Sequence, residues 1–150
     1  MRYLIARFSL AVLLVGVGAS ANSQVLKNLG AAPIIAGVQL QCEGANSYVA
    51  HISDIALGRP GKMYFRPDYF SLPPYMQWFI YAHECAHQLV GSSEAAADCW
   101  AMKLGRNQGF FPLQAVQQIC SYTFSSPGDW THFPSPIRCQ QMKLCYSSMP

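Results

Sequence analysis

The chain has 150 residues, about half of them apolar and only 11% charged, with a formal net charge of +3. That is one domain's worth of chain, with enough apolar material for a real core. The basic residues are scattered rather than clustered, which leaves a nucleic-acid partner without electrostatic support.

In chain order, residues 1–21 read as a secretory signal peptide. Arg2 and Arg7 flank a basic start, Phe8 to Val17 is an apolar run, and small residues lead to Ala19-Ser20-Ala21. A basic start, an apolar run of this length and an Ala-x-Ala site predict cleavage after Ala21. The run is short for a bilayer span, so the expected product is a single exported domain, residues 22–150, with no stable membrane span and a periplasmic or secreted location. The residue directly after the cleavage site is Asn22 and not a cysteine, so a lipid anchor is not indicated. Removal of Arg2 and Arg7 leaves eight basic residues against seven acidic ones, a charge near +1.

The stretch 22–37 is rich in glycine and alanine and reads as a loose lead-in. Val38 to Cys42 and Tyr48 to Ile55 have the alternation of strands, with Gly44-Ala45-Asn46-Ser47 as the turn between them. Arg59-Pro60-Gly61 breaks the chain before a third short strand, Lys62 to Arg66. Leu72-Pro73-Pro74 sets a helix start, and Met76, Phe79, Ile80, His83, His87 and Val90 recur at helical intervals over Tyr75 to Val90. Gly91 ends that helix. Ser92 or Ser93 caps a second, Glu94 to Leu104, closed by Gly105. Pro112 opens a third through about Ser121, Ser125 to Pro136 reads as loop, and Ile137 to Tyr146 as a last helix.

Cys42, Cys85, Cys99, Cys120, Cys139 and Cys145 form an even set behind a signal peptide, which predicts disulfides in an oxidising compartment. Six cysteines allow 15 full pairings, and sequence does not choose among them. Cys85 with Cys99, on consecutive helices that a shared metal would press together, is one reasonable pair. The other four would tie the N-terminal part and the tail to the body. An all-cysteine zinc site is the competing reading, but no Cys-x-x-Cys pair is present.

The chemistry concentrates in His83-Glu84-Cys85-Ala86-His87. Residues four apart stack on one helical face, so His83 and His87 present two imidazoles to one ion, and zinc is the expected metal, one per chain. Glu84 cannot point at the ion in the same way and is placed as general base toward a zinc-activated water. Catalytic zinc usually takes three protein ligands. Past the Gly91 turn, Glu94 is the expected third, and Asp98, one turn on, would accept a hydrogen bond from a liganding imidazole. The reverse assignment, Asp98 as ligand and Glu94 as support, stays open. His51 has no spaced partner and reads as structural, Trp78, Phe79 and Trp100 as core, and Asp54 and Asp68 as turn or surface residues. Tyr81, Tyr122 and Tyr146 are candidate hydroxyl donors to a developing oxyanion, none standing out.

His83-Glu84-x-x-His87 with Glu94-x-x-Ala97-Asp98 resembles the signature of the gluzincin peptidases related to HtpX and the CAAX prenyl endopeptidases. That family also carries Thr-His-Pro with an arginine six residues after the histidine. Here Thr131-His132 stands with Arg138 at that spacing, although Phe133 replaces the proline. The resemblance implies zinc on His83, His87 and Glu94, with Asp98 supporting a histidine. It also implies His132 and Arg138 at the rim of an active site, binding or polarising substrate. It departs from the membrane-embedded members in having no transmembrane helices past the signal, and in placing its glutamate close behind the second histidine.

The resulting expectation is an α+β, zincin-like domain: a short N-terminal sheet on the His83 helix, then the Glu94 helix and a disulfide-tied tail. Its expected function is hydrolysis of peptide bonds in a peptide or protein substrate, with an unidentified protein partner among the expected partners. The alternatives are a non-catalytic secreted module that binds zinc or a partner on the same scaffold, and a purely structural disulfide domain.

Overall fold

The computed structural model describes residues 24–123, 128 and 134–148. The expected signal peptide and His132 lie outside the described residues. Among the described residues the fold is α+β, with a four-stranded sheet, a small hairpin, four helices and three disulfides.

The sheet runs in the order β1 (Val25–Gly30), β4 (Asn46–Ala50), β6 (Lys62–Phe65), β5 (Ala56–Arg59). β4 and β6 are parallel, and both outer strands pair antiparallel to their neighbours. Residues 24–37 of the expected lead-in 22–37 are therefore not loose. Val25 and Leu26 of β1 are exposed, so that strand is held by backbone pairing and carries no alternating apolar signal. Residues 34–39 form a hairpin of β2 (Ile34–Ile35) and β3 (Val38–Gln39). Ala36 and Gly37 turn it, both at positive φ as a type I′ turn requires. The expected Val38 to Cys42 strand shortens to two residues. The expected turn residues Asn46 and Ser47 instead begin β4, paired in parallel with Lys62 and Met63.

Arg59-Pro60-Gly61 does not separate unrelated pieces. Arg59 and Lys62 are strand partners, so Pro60 and Gly61 are the two loop residues of a β5–β6 hairpin, with Gly61 at φ 71°. A 3-10 turn, Pro67–Ser71, then leads into α1 (Pro74–Val90). The Gln77 amide donates to Phe70 O and Leu72 O, and the Tyr69 hydroxyl donates to Gln77 O, which fixes the turn on the helix start.

α1 is the shared wall of two cores. One, with Ile35, Met63, Phe65, Tyr69 and Tyr81, lies between α1 and the sheet. The other, with Phe79, Ala82, Met102, Phe111, Ile119 and Met142, lies among the helices. Trp78 packs against both, and its indole N–H donates to Ile35 O at 2.9 Å.

α2 runs from Glu94 to Asn107, three residues past the expected end. Gly105 does not terminate it. A side chain there would put its Cβ 1.9 Å from the Phe111 ring, so the glycine makes room for packing rather than a cap. α3 (Leu113–Thr123) follows Pro112, and α4 (Ser135–Ser147) takes Ser135 and Pro136 into its first turn.

All six cysteines are paired: Cys42–Cys85, Cys99–Cys145 and Cys120–Cys139. The expected Cys85–Cys99 bridge is not formed, and no thiol remains for an all-cysteine metal site. Cys85 faces the sheet-side core, where Cys42 lies, whereas Cys99 on α2 meets α4.

Candidate metal centre

The site grows from the turn between α1 and α2. Gly91 adopts φ 74° and ψ −153°, a region essentially reserved for glycine. This turns its carbonyl back onto His87, whose Nδ1 lies 2.8 Å away. Two residues on, the Ser93 hydroxyl accepts from the Ala96 amide and caps α2, which makes Glu94 the first helical residue. Glu94 thereby faces both histidines.

The distances are tight. His83 Nε2 lies 3.2 Å from His87 Nε2 and 2.9 Å from Glu94 Oε2, and His87 Nε2 lies 3.5 Å from Glu94 Oε1. Bonds of roughly 2.0–2.2 Å to a tetrahedral zinc place two ligand atoms about 3.3–3.6 Å apart. The three observed separations are close to that edge, with Glu94 drawn in slightly on His83. Asp98 stands on the other side of the imidazole, its Oδ1 2.8 Å from His83 Nδ1. Glu94, not Asp98, is thus the carboxylate that converges with the two histidines.

Donor chemistry fits a cation as well. A carbonyl only accepts, so His87 Nδ1 carries its proton toward Gly91 O. Burial works against the Asp98 anion, yet hydrogen bonds from His83 and Arg138 hold its carboxyl below the ordinary range, so His83 Nδ1 also donates. With both Nδ1 atoms donating, the two Nε2 atoms and the Glu94 carboxylate face one another, an arrangement that holds a proton or a metal ion between them. Burial alone would push His83 down, but the hydrogen bonds with Asp98 and Glu94 raise it to about 9. His87 is raised chiefly by Glu94. The raised imidazoles show that the cluster favours positive charge at its centre, and a histidine–histidine–carboxylate set is a known zinc donor set.

Glu84 and the centre open onto a cavity of about 810 Å³. Its walls are β5 and the preceding Ile55 on one side, and Met76, Phe79 and Ile80 of α1 on the other. Burial raises the Glu84 carboxyl, an effect opposed by His83, His87 and a hydrogen bond from the Gly58 amide. Arg138 also lines the cavity, and it grips Asp98 with two hydrogen bonds, Nε to Oδ2 at 2.7 Å and Nη2 to Oδ1 at 2.8 Å. His51 is exposed and outside the cavity, its amide donating to Gln24 O. Tyr81 stacks on Phe65 in the sheet-side core, and the Tyr146 hydroxyl donates to Phe111 O, so neither reaches the centre. The side chain of Tyr122 lies outside the described residues.

Two contributors escaped the sequence reading. Gly58 lets β5 pass so close to α1 that a Cβ would lie 3.0 Å from Glu84 O and 3.1 Å from its carboxylate. Gln88 clips the hairpin turn to α1, donating to Arg59 O and accepting from the Gly61 amide, each at 2.9 Å. A glycine before Arg59-Pro60-Gly61 was the one available hint, and it gains meaning only once β5 is known to cross the helix.

Comparison of the chain with protein-family models, with curated proteins and with solved structures finds no match.

Proposed function

We propose that this chain is an exported, zinc-dependent peptidase of the zincin type. The observation that carries the reading is the convergence of His83 Nε2, His87 Nε2 and the Glu94 carboxylate within 4.8 Å of one another, with Glu84 beside them on an open cavity. Zinc held by these three residues would supply Lewis acidity, activating water and polarising a carbonyl. Glu84 accepts the proton of the attacking water and returns it to the leaving amine. Asp98 fixes the tautomer of His83, and the Gly91 carbonyl does the same for His87. The apolar wall of Phe79, Ile80 and Leu57 suits an amide substrate with a hydrophobic side chain next to the cleaved bond. Three disulfides support an oxidising compartment, and among the described residues no helix is long and apolar enough to cross a membrane.

The test is zinc per chain by elemental analysis, with His83→Ala and Glu94→Ala beside the unaltered protein. The expected result is one zinc per chain, lost in both variants. Glu84→Gln should keep the metal and abolish cleavage of a peptide library. Zinc with no Glu84-dependent turnover would leave a metal-binding module, and no zinc after reconstitution would leave a disulfide domain.

A further inference from the structure

Every disulfide in the molecule has one cysteine directly beside a residue of the site. Cys85 follows Glu84, Cys99 follows Asp98, and Cys139 follows Arg138. Two of the bridges converge on α4. Cys99–Cys145 joins it to α2, and Cys120–Cys139 joins it to α3. From α2, the Arg106 guanidinium also donates to Tyr146 O and Ser148 O at the far end of α4. α4 is thus pinned at both ends, and what it delivers to the centre is Arg138.

Arg138 stands one contact behind Asp98, since Asp98 Oδ1 accepts from both Arg138 and His83. The Asp98 side chain is 6% exposed and that of Arg138 17%. A buried carboxylate needs a charged or multiply bonded partner, and a bidentate guanidinium fixes its plane as well as its charge. With that plane fixed, Asp98 presents one oxygen to His83 Nδ1 and sets the direction of His83 Nε2.

We infer that Arg138 is a positioning residue for the metal centre, acting through Asp98 on His83, and that the two α4 disulfides hold it there. The inference rests on the zinc reading above. Completion of the metal site is then conditional on oxidation of Cys99–Cys145 and Cys120–Cys139, 40-odd and about 20 positions apart respectively.

The experiment is zinc affinity by competition with a chromogenic chelator, on full-length oxidised protein checked for fold by near-UV circular dichroism. Arg138→Met should weaken zinc binding about 10- to 100-fold, the usual effect of losing a partner behind a metal ligand. Arg138→Lys should recover only part of it, because an ammonium cannot make the paired contact. Cys99→Ala with Cys145→Ala should weaken binding in the same direction, yet add little on the Arg138→Met background, since both act through one contact. Arg138→Met binding zinc as the unaltered protein does overturns the inference. So does an equal loss from the cysteine pair on both backgrounds. If the cysteine pair does not fold, the two Arg138 variants decide. If the unaltered protein binds no zinc, the fault lies in the proposed function rather than in the role of Arg138.

Discussion

Gly58 and Glu84 meet more tightly than most side chains would tolerate. The neighbours that a Cβ would strike are the backbone oxygen of a buried helix and the carboxylate proposed as general base. Gly58→Ala should therefore force β5 outward, at a cost of about 1–3 kcal/mol by analogy with overpacked cores. Equilibrium denaturation measures that, and elemental analysis should find zinc content unchanged, because no ligand moves. An unaltered midpoint would mean that the hairpin yields freely and that the glycine is incidental. His83, Glu84 and His87 were legible as a set because their spacing is fixed by the helix alone. Glu94 was legible because a glycine turn leaves few ways to continue. Gly58 was not, since the contact that gives it meaning joins residues with no local relation.

Among the elements, the β5–β6 hairpin is clipped to α1 at its turn by one side chain. Gln88 satisfies a carbonyl before the turn and an amide after it. Gln88→Ala should cost about 1–3 kcal/mol in lost hydrogen bonds. Hydrogen exchange at the Gly61 amide should quicken while α3 stays protected, and uniform exchange would argue against a local role. The helices were readable from their periodicity and their prolines, apart from ends displaced at Gly105 and Ser135. The sheet was harder to read. β1 buries no face, β5 ends at Pro60-Gly61, and the parallel pairing of β4 with β6 passes over β5, so it leaves no local pattern. The disulfide map followed the same rule: it depends on which core each cysteine faces, and that is a property of the assembled layers.

At the scale of the molecule, a ligand that binds only the folded state stabilises it in proportion to its free concentration. Zinc at about a hundred times its dissociation constant should add about 2.7 kcal/mol, raising the melting temperature by on the order of 10 °C. Calorimetry of the reconstituted and chelator-treated protein measures the difference, and identical transitions would count against a native metal centre. The three covalent links should each contribute about 3–4 kcal/mol on a chain-entropy model, so reduction should unfold the domain near room temperature. Time enters through sequence distance. His83 and Glu94 are eleven positions apart, whereas the bridges close separations of 43, 46 and 19. Short loops close sooner and at lower entropic cost. An emerging chain would gather its three metal ligands before it had joined any pair of its cysteines, grip zinc weakly, and tighten as oxidation brought Arg138 to Asp98. Zinc present from the start of oxidative refolding should then hasten the native pairing by holding Cys99 near its final place, a scaffold that arrives before the covalent links it guides.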